Sequence, residues 1–208
     1  MNHSNIVLVG FMGTGKSAVG KLLAERLASR FVDMDELIET RAGKPISSIF
    51  AEDGEPRFRA MEREQARELA QQSNLVVATG GGVVLNPDNI RDFSRSGLVV
   101  CLSAAPEEIL RRVGNSSHRP LLNQPDPAAA IRDLLAKRQP LYAAIPFQVN
   151  TTGLTVAEVA DVVMKQIPNS RYQASRKFEQ NKIKRVQIWI LFALGFTLKF
   201  PWLLEFGI

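Results

Sequence analysis

The sequence predicts an α/β fold of three layers: a five-stranded parallel sheet flanked by helices, with a mobile lid loop and an appended helical, hydrophobic C-terminal tail. Three observations predict it. Short apolar runs alternate with stretches of helical period, the pattern of strand–helix–strand crossovers. Four of the five runs are almost continuously apolar, as strands covered on both faces are. A glycine-rich turn joins the first run to the first helical stretch.

The runs are "NIVLVG" (5–10), "RFVDMD" (30–35), "LVVATG" (75–80), "GLVVCLS" (97–103) and "PFQVNT" (146–151). Between them, "KSAVGKLLAERLA" puts Val19, Leu22, Leu23 and Leu27 on one helical face, and "PAAAIRDLLAKRQPLY" and "TVAEVADVVMKQI" behave alike. Residues 112–127, "RVGNSSHRPLLNQPDP", are polar and rich in Pro, Asn and Ser, and read as a long loop carrying Arg112, His118 and Arg119. Cys101 lies within an apolar strand and reads as a core residue; being the sole cysteine, it excludes an internal disulfide.

The 208 residues suffice for one sizeable core, and the net charge of +5 is unevenly placed. Residues 1–168 hold 19 Lys+Arg and 19 Asp+Glu, and residues 169–208 hold 7 and 2. The balanced main domain therefore gives no reason to expect a nucleic-acid partner. "MNHS" passes directly into an apolar run without a charged leader, so the cytosol is the expected location.

"GFMGTGKS" fits G-x-x-x-x-G-K-[ST], with Gly10, Gly15, Lys16 and Ser17 at the fixed positions. Gly13, Thr14, Gly15, Lys16, Ser17 and Ala18 then line a nucleotide-phosphate cradle. Backbone N–H groups and the following helix end face the phosphates. Lys16 reaches the β- and γ-phosphates, and the Ser17 hydroxyl ligates Mg²⁺.

Phosphate cradles serve many chemistries, so the acceptor must be read from other motifs. "FVDMDELIE" puts Asp33 and Asp35 at the end of the second strand; at i and i+2 in extended chain both would face the cleft. One would act near the metal and accept a proton, and the other would bind substrate hydroxyls. Alternatively, Asp35 caps the helix that follows. In "GEPRFRAMERE", Arg57, Arg59, Glu62 and Arg63 stand at helical spacing, which by itself describes a solvated charged face. "TGGGVV" either admits a ligand close to its backbone or is a plain turn. Arg119 and Arg138 are candidate anion clamps.

In this order, "GFMGTGKS", "FVDMDELIE", "GKPISSIFAEDGEPRFRAMERE", "ATGGGVV", "RPLL" and "LAKRQPLY" resemble the shikimate kinase family. The resemblance runs from residue 5 to about 152, with a plausible last helix to 167. It implies ATP-dependent, Mg²⁺-assisted phosphorylation of shikimate to shikimate 3-phosphate. It implies that Asp35 binds substrate hydroxyls and that Asp33 lies near Mg²⁺ and the transferred phosphoryl group, in the metal's outer sphere. Arg59 and Arg138 would hold the shikimate carboxylate, Gly81 and Gly82 would contact the ring, and Arg119 would close over ATP. Glu62 would orient Arg59, and Phe50 and Phe58 would pack against the ring. Ala18 departs from the family pattern, where a hydroxyl residue is frequent. A gluconate-type kinase or a catalytically silent nucleotide-binding regulator are the alternatives.

The resemblance ends near residue 168. The longest uncharged apolar run of the tail, Val186–Leu198, has 13 residues, against the roughly 20 that a bilayer span needs. With Lys182, Lys184 and Arg185 just before it, 182–208 is a candidate membrane contact; a functionless extension or a docking helix are the other readings. The domain itself is expected to be a monomer.

Overall fold

The computed structural model describes residues 5–113 and 126–167. The chain divides into two compact units, Met1–Ile167 and Pro168–Ile208, and all described residues belong to the first. The tail, with its candidate membrane contact at 182–208, lies outside them, as do His118 and Arg119.

Five strands form one parallel sheet: β1 (Asn5–Val9), β2 (Arg30–Asp33), β3 (Leu75–Ala78), β4 (Gly97–Ser103) and β5 (Phe147–Asn150). Their order is β2-β3-β1-β4-β5, with Val7 opposite Val77 on one side and Val99 on the other. The central strands β1 and β3 are buried throughout, whereas the edge strands β2 and β5 are largely accessible. Continuous apolar runs thus mark the strands that are covered on both faces.

The helices are α1 (Lys16–Arg26), α2 (Met34–Ala42), α3 (Ile46–Glu52), α4 (Gly54–Ala70), α5 (Pro87–Ser96), α6 (Pro106–Val113), α7 (Pro127–Ala143) and α8 (Val156–Lys165), with a 3₁₀ turn at Val83–Leu85. Side-chain alternation divides the core. On one face Val7, Val9, Val77, Val99 and Cys101 pack with Phe93 of α5 and with Ile131 and Tyr142 of α7. Ile6 and Leu8 alternate to the other face, where α1 and α8 pack together with Val19, Leu23, Val159 and Val163 buried. Truncating Leu23, wholly buried, to alanine would cost about 2–5 kcal/mol. Among the described residues no helix is long and apolar enough to cross a membrane.

Local chemistry sets the helix ends. Thr155 and Glu158 form a reciprocal capping box at α8. Asn86 and Asp126 cap α5 and α7, each followed by a proline that fits the first turn. Two expectations need correction here. Strand β2 ends at Asp33, so Asp35 sits in the first turn of α2 and not two residues along an extended strand. Asp33 is the cap: its Oδ1 accepts the Asp35 N–H at 3.1 Å. The expected loop over 112–127 does not include Arg112, which lies in helix α6, and 114–125 fall outside the described residues. Helix α6 runs through Val113 because Glu108 pairs with Arg111 and Arg112 at i,i+3 and i,i+4.

Candidate active site

The carboxyl ends of β1, β2 and β3 bring the sequence motifs together, at the edge where open parallel sheets bind ligands. After β1 the chain turns through the glycine loop into α1. Gly15 takes the left-handed conformation at φ 93° as the helix cap, without a side-chain cap. The first-turn N–H groups of α1 therefore remain donors at a positive helix end. Lys16 Nζ donates to the carbonyls of Gly10 (2.8 Å) and Phe11 (2.9 Å), which lays the ammonium across the loop. Thr14 is buried, and its hydroxyl donates to Phe11 O at 2.8 Å, bracing the loop from within. Ser17 and Ala18 are exposed, and Ser17 Oγ donates to Asp33 Oδ2 at 2.6 Å.

A residue whose role the sequence did not disclose secures this loop from outside. Arg112 donates to Gly13 O (3.2 Å), to Thr151 Oγ1 and Thr151 O (2.9 Å each), and to Glu108 Oε1 (2.7 Å). One guanidinium fork thereby joins the loop, the end of β5 and α6. Its hydrogen bonds, with those of Arg111 foremost, hold the Glu108 carboxyl down at about 2. The i,i+4 spacing of Glu108 and Arg112 was the available clue.

The charges of α4 are not a uniformly solvated face. Glu62 is only 2% exposed, while its partner Arg59 is 24% exposed. Arg59 Nη1 donates to Glu62 Oε2 at 2.8 Å, and its Nε and Nη2 reach Glu55 Oε1 at 3.1 and 3.0 Å. The guanidinium lies over the Phe58 ring, 5.0 Å from its centre. Phe58 is buried with Ile38 and Ile49, and Phe50, more exposed, tilts against it at 4.8 Å. Arg63 turns elsewhere, to Asp92 at 2.7 Å.

Glu62 Oε1 is buried and accepts no hydrogen bond from the described residues. Burial raises the Glu62 pKa, Arg59 opposes that, and the nearby Asp35 charge adds to it. Both carboxylates converge on Gly80: a β-carbon there would stand 2.6 Å from Asp35 Oδ1 and 3.1 Å from Glu62 Oε1. One at Gly82 would fall on the Arg59 guanidinium, so only glycine fits beside that side chain.

Gly81 connects the two halves of the cleft. Its carbonyl accepts from Tyr142 Oη at 2.6 Å and from Arg138 Nη1 at 3.4 Å. A β-carbon on Gly81 would lie 3.6 Å from Met12 N, 3.7 Å from Gly10 O and 3.9 Å from Arg138 Nη1. Asp35, Arg59, Gly81, Gly82 and Arg138 thus gather beside the phosphate-type loop, while Arg119 lies outside the described residues. No cluster of three or more His, Cys, Asp or Glu side chains able to hold a metal occurs among the described residues.

This arrangement has close parallels. The family model for shikimate kinase matches residues 12–168. The shikimate kinase of Thermodesulfovibrio yellowstonii is 46% identical over 162 residues, covering 78% of this chain and 94% of the relative. That of Pelotomaculum thermopropionicum is 44% identical over 168 residues, covering 81% and 98%. Among solved structures, shikimate kinase from Acinetobacter baumannii in complex with shikimate superposes with a TM-score of 0.75 at 37% identity, covering 78% of this chain and 92% of the other. The Aquifex aeolicus shikimate kinase gives 0.68 at 34% identity, covering 77% and 94%. A phosphate-type loop set against paired arginines and a glycine triplet, shared in sequence over almost the whole length of these relatives, leaves one assignment: the chain belongs to the shikimate kinase family.

Proposed function

We propose that this chain transfers the γ-phosphoryl group of ATP to a hydroxyl of shikimate, giving shikimate 3-phosphate and ADP. The observation that carries the reading is the adjacency at Gly81. A loop built for phosphates and a pocket built for a small hydroxylated carboxylate meet across one glycine.

Arg59 and Arg138 hold the substrate carboxylate in planar, charge-assisted hydrogen bonds. Glu55 and Glu62 fix Arg59 in advance, so little side-chain freedom remains to be lost on binding. Asp35 and the backbone of Gly81 and Gly82 take the ring hydroxyls. Both oxygens of Asp33 already accept hydrogen bonds, from Ser17 and from the Asp35 N–H. Asp33 therefore orients Ser17 beside the transferred group, and a carboxylate of the Asp33/Asp35 pair accepts the proton released as the hydroxyl oxygen bonds to phosphorus. The P–O bond to ADP breaks in the same step.

Lys16 exchanges its two carbonyl partners for phosphate oxygens when ATP binds. The exposed Ser17 hydroxyl beside a carboxylate is a hard-oxygen donor set that suits Mg²⁺, with Ser17 as ligand and Asp33 in the outer sphere. Bound there, Mg²⁺ would neutralise phosphate charge and help align the transferred group. Arg119 adds positive charge from the lid, and closure of that lid would limit wasteful hydrolysis of ATP. The domain 1–168 carries this chemistry in the cytosol as a monomer, and 169–208 is an extension whose basic and apolar segments suit a membrane surface.

The test is ATP-dependent turnover by the purified full-length chain, with shikimate, gluconate and AMP offered in parallel and Mg²⁺ present or chelated. Mg²⁺-dependent turnover of shikimate alone is expected. Preference for gluconate or AMP would refute the acceptor assignment. ATP binding without turnover of any acceptor would make the chain a nucleotide-binding regulator.

A further inference from the structure

We propose that Tyr142 is a positioning residue for the acceptor loop, setting shikimate affinity by locking the peptide between Gly81 and Gly82. The inference rests on the shikimate kinase reading above. Tyr142 follows Arg138 by one helical turn on α7, so both side chains leave the same face. Both reach one atom, the Gly81 carbonyl oxygen, but unequally. The phenol donates at 2.6 Å and the guanidinium at 3.4 Å. Tyr142 therefore holds the carbonyl, and Arg138, which also hydrogen-bonds the phenol, has further donors to offer an anion.

Val83 N–H donates to Gly80 O at 3.2 Å and closes a turn around the Gly81–Gly82 peptide, and an external donor fixes that central peptide in one orientation. A peptide between two glycines has no β-carbon on either side to oppose rotation of its plane. Fixing the Gly81 carbonyl fixes the Gly82 N–H as well, because the planar trans peptide points the two in opposite directions. The bond from Tyr142 thus aims the Gly82 N–H away from α7. It also fixes Gly81 beside the phosphate-type loop, where a β-carbon on Gly81 would come within van der Waals reach of Gly10 O and Met12 N. Only 7% of Tyr142 is exposed, and its ring packs in the core cluster with Cys101 and Ile131, so the anchor itself is rigid. Burial pushes the phenol up to about 12, against the opposing charge of Arg138, and keeps it a donor at neutral pH.

The experiment compares full-length wild type, Tyr142→Phe and Tyr142→Leu by initial rates against each substrate and by Tm. Phenylalanine keeps the packing and removes only the donor. The expected result for Tyr142→Phe is a rise in the KM for shikimate of about three- to tenfold, the size of one lost neutral hydrogen bond. Its KM for ATP and its kcat stay within about twofold of wild type. Tyr142→Leu should show a similar KM for shikimate with a lowered Tm, separating the packing role from the positioning role. An unchanged KM for shikimate in Tyr142→Phe would overturn the proposal, as would a parallel rise in both KM values. Wild type failing to phosphorylate shikimate in the same assay would instead overturn the underlying reading, and the proposal with it.

Discussion

Ser17 Oγ lies 2.6 Å from Asp33 Oδ2, which ties the first turn of α1 to the carboxyl end of β2. Through this hydroxyl, and the ion it would hold, Asp33 reaches the nucleotide. Asp33→Asn should therefore behave as the loss of an outer-sphere carboxylate, lowering activity or Mg²⁺ affinity about 10- to 100-fold. A Mg²⁺ titration of kcat should show the half-saturation point moving upward while the KM for shikimate changes little. An unaltered Mg²⁺ dependence would separate Asp33 from the metal.

Arg59 is gripped by Glu55 and Glu62 in a geometry that only a planar fork satisfies. Arg59→Lys keeps the charge and loses the fork. The KM for shikimate should rise about 10- to 100-fold, the range for a hydrogen bond to a charged group. The KM for ATP should hold steady. Steady-state kinetics with each substrate varied in turn provides the check.

Gly82 sits at φ −93°, which any residue adopts, so alanine there meets no backbone strain. Its β-carbon, however, would occupy the place of the Arg59 guanidinium. Gly82→Ala should displace that side chain and weaken shikimate binding about tenfold or more, since small misplacements at such sites cost up to 100-fold. Tm should stay level or rise slightly, because alanine also restricts the unfolded chain. Calorimetric titration with shikimate, alongside thermal melts, separates the two effects.

Glu108 gives a pH dependence with a defined sign. Its carboxyl falls from an ordinary 4.5 to about 2 in the folded chain, mainly through the hydrogen bond from Arg111, then through that from Arg112. The folded state therefore binds this proton less readily than the unfolded state. The stabilisation is fully present above 4.5 and is lost as pH falls towards 2. Urea midpoints of Glu108→Gln should be less sensitive to pH across that window than those of wild type. Equal sensitivity in both would show that other carboxylates carry the acid response.

A chain ending at Pro168 should retain the full-length kcat and both KM values, because the family match closes at residue 168. Flotation with anionic vesicles should then retain full-length protein and release the shortened one. A full-length protein that stays entirely with the soluble fraction would dismiss the membrane role of 182–208.

The glycine loop and the presence of all five strands were readable because each depends on local rules: continuous apolar runs, helix period and a fixed motif. Asp35 was misplaced because an apolar strand followed by D-x-D does not say where the strand stops. The Asp33 cap decides that, and a cap is a hydrogen bond rather than a pattern. Glu62 looked like part of a wet charged face because its burial depends on Asp35 and Gly80, which arrive from other parts of the chain. Arg112 was taken into the loop for the same reason: its partners Gly13 and Thr151 lie 99 and 39 positions away. Tyr142 sat in a quoted motif without a role, since its partner Gly81 is 61 positions distant.

Gly81, whose carbonyl accepts from α7 and on which a β-carbon would meet Gly10 and Met12, stands in a wall common to the donor and acceptor sites. A movement of that wall on binding one substrate would be felt by the other. Equilibrium linkage then makes the effect mutual: the factor by which ATP tightens or loosens shikimate is the factor by which shikimate tightens or loosens ATP. A single glycine, through its neighbours, is thereby the point through which any coupling between the two affinities of this kinase would pass.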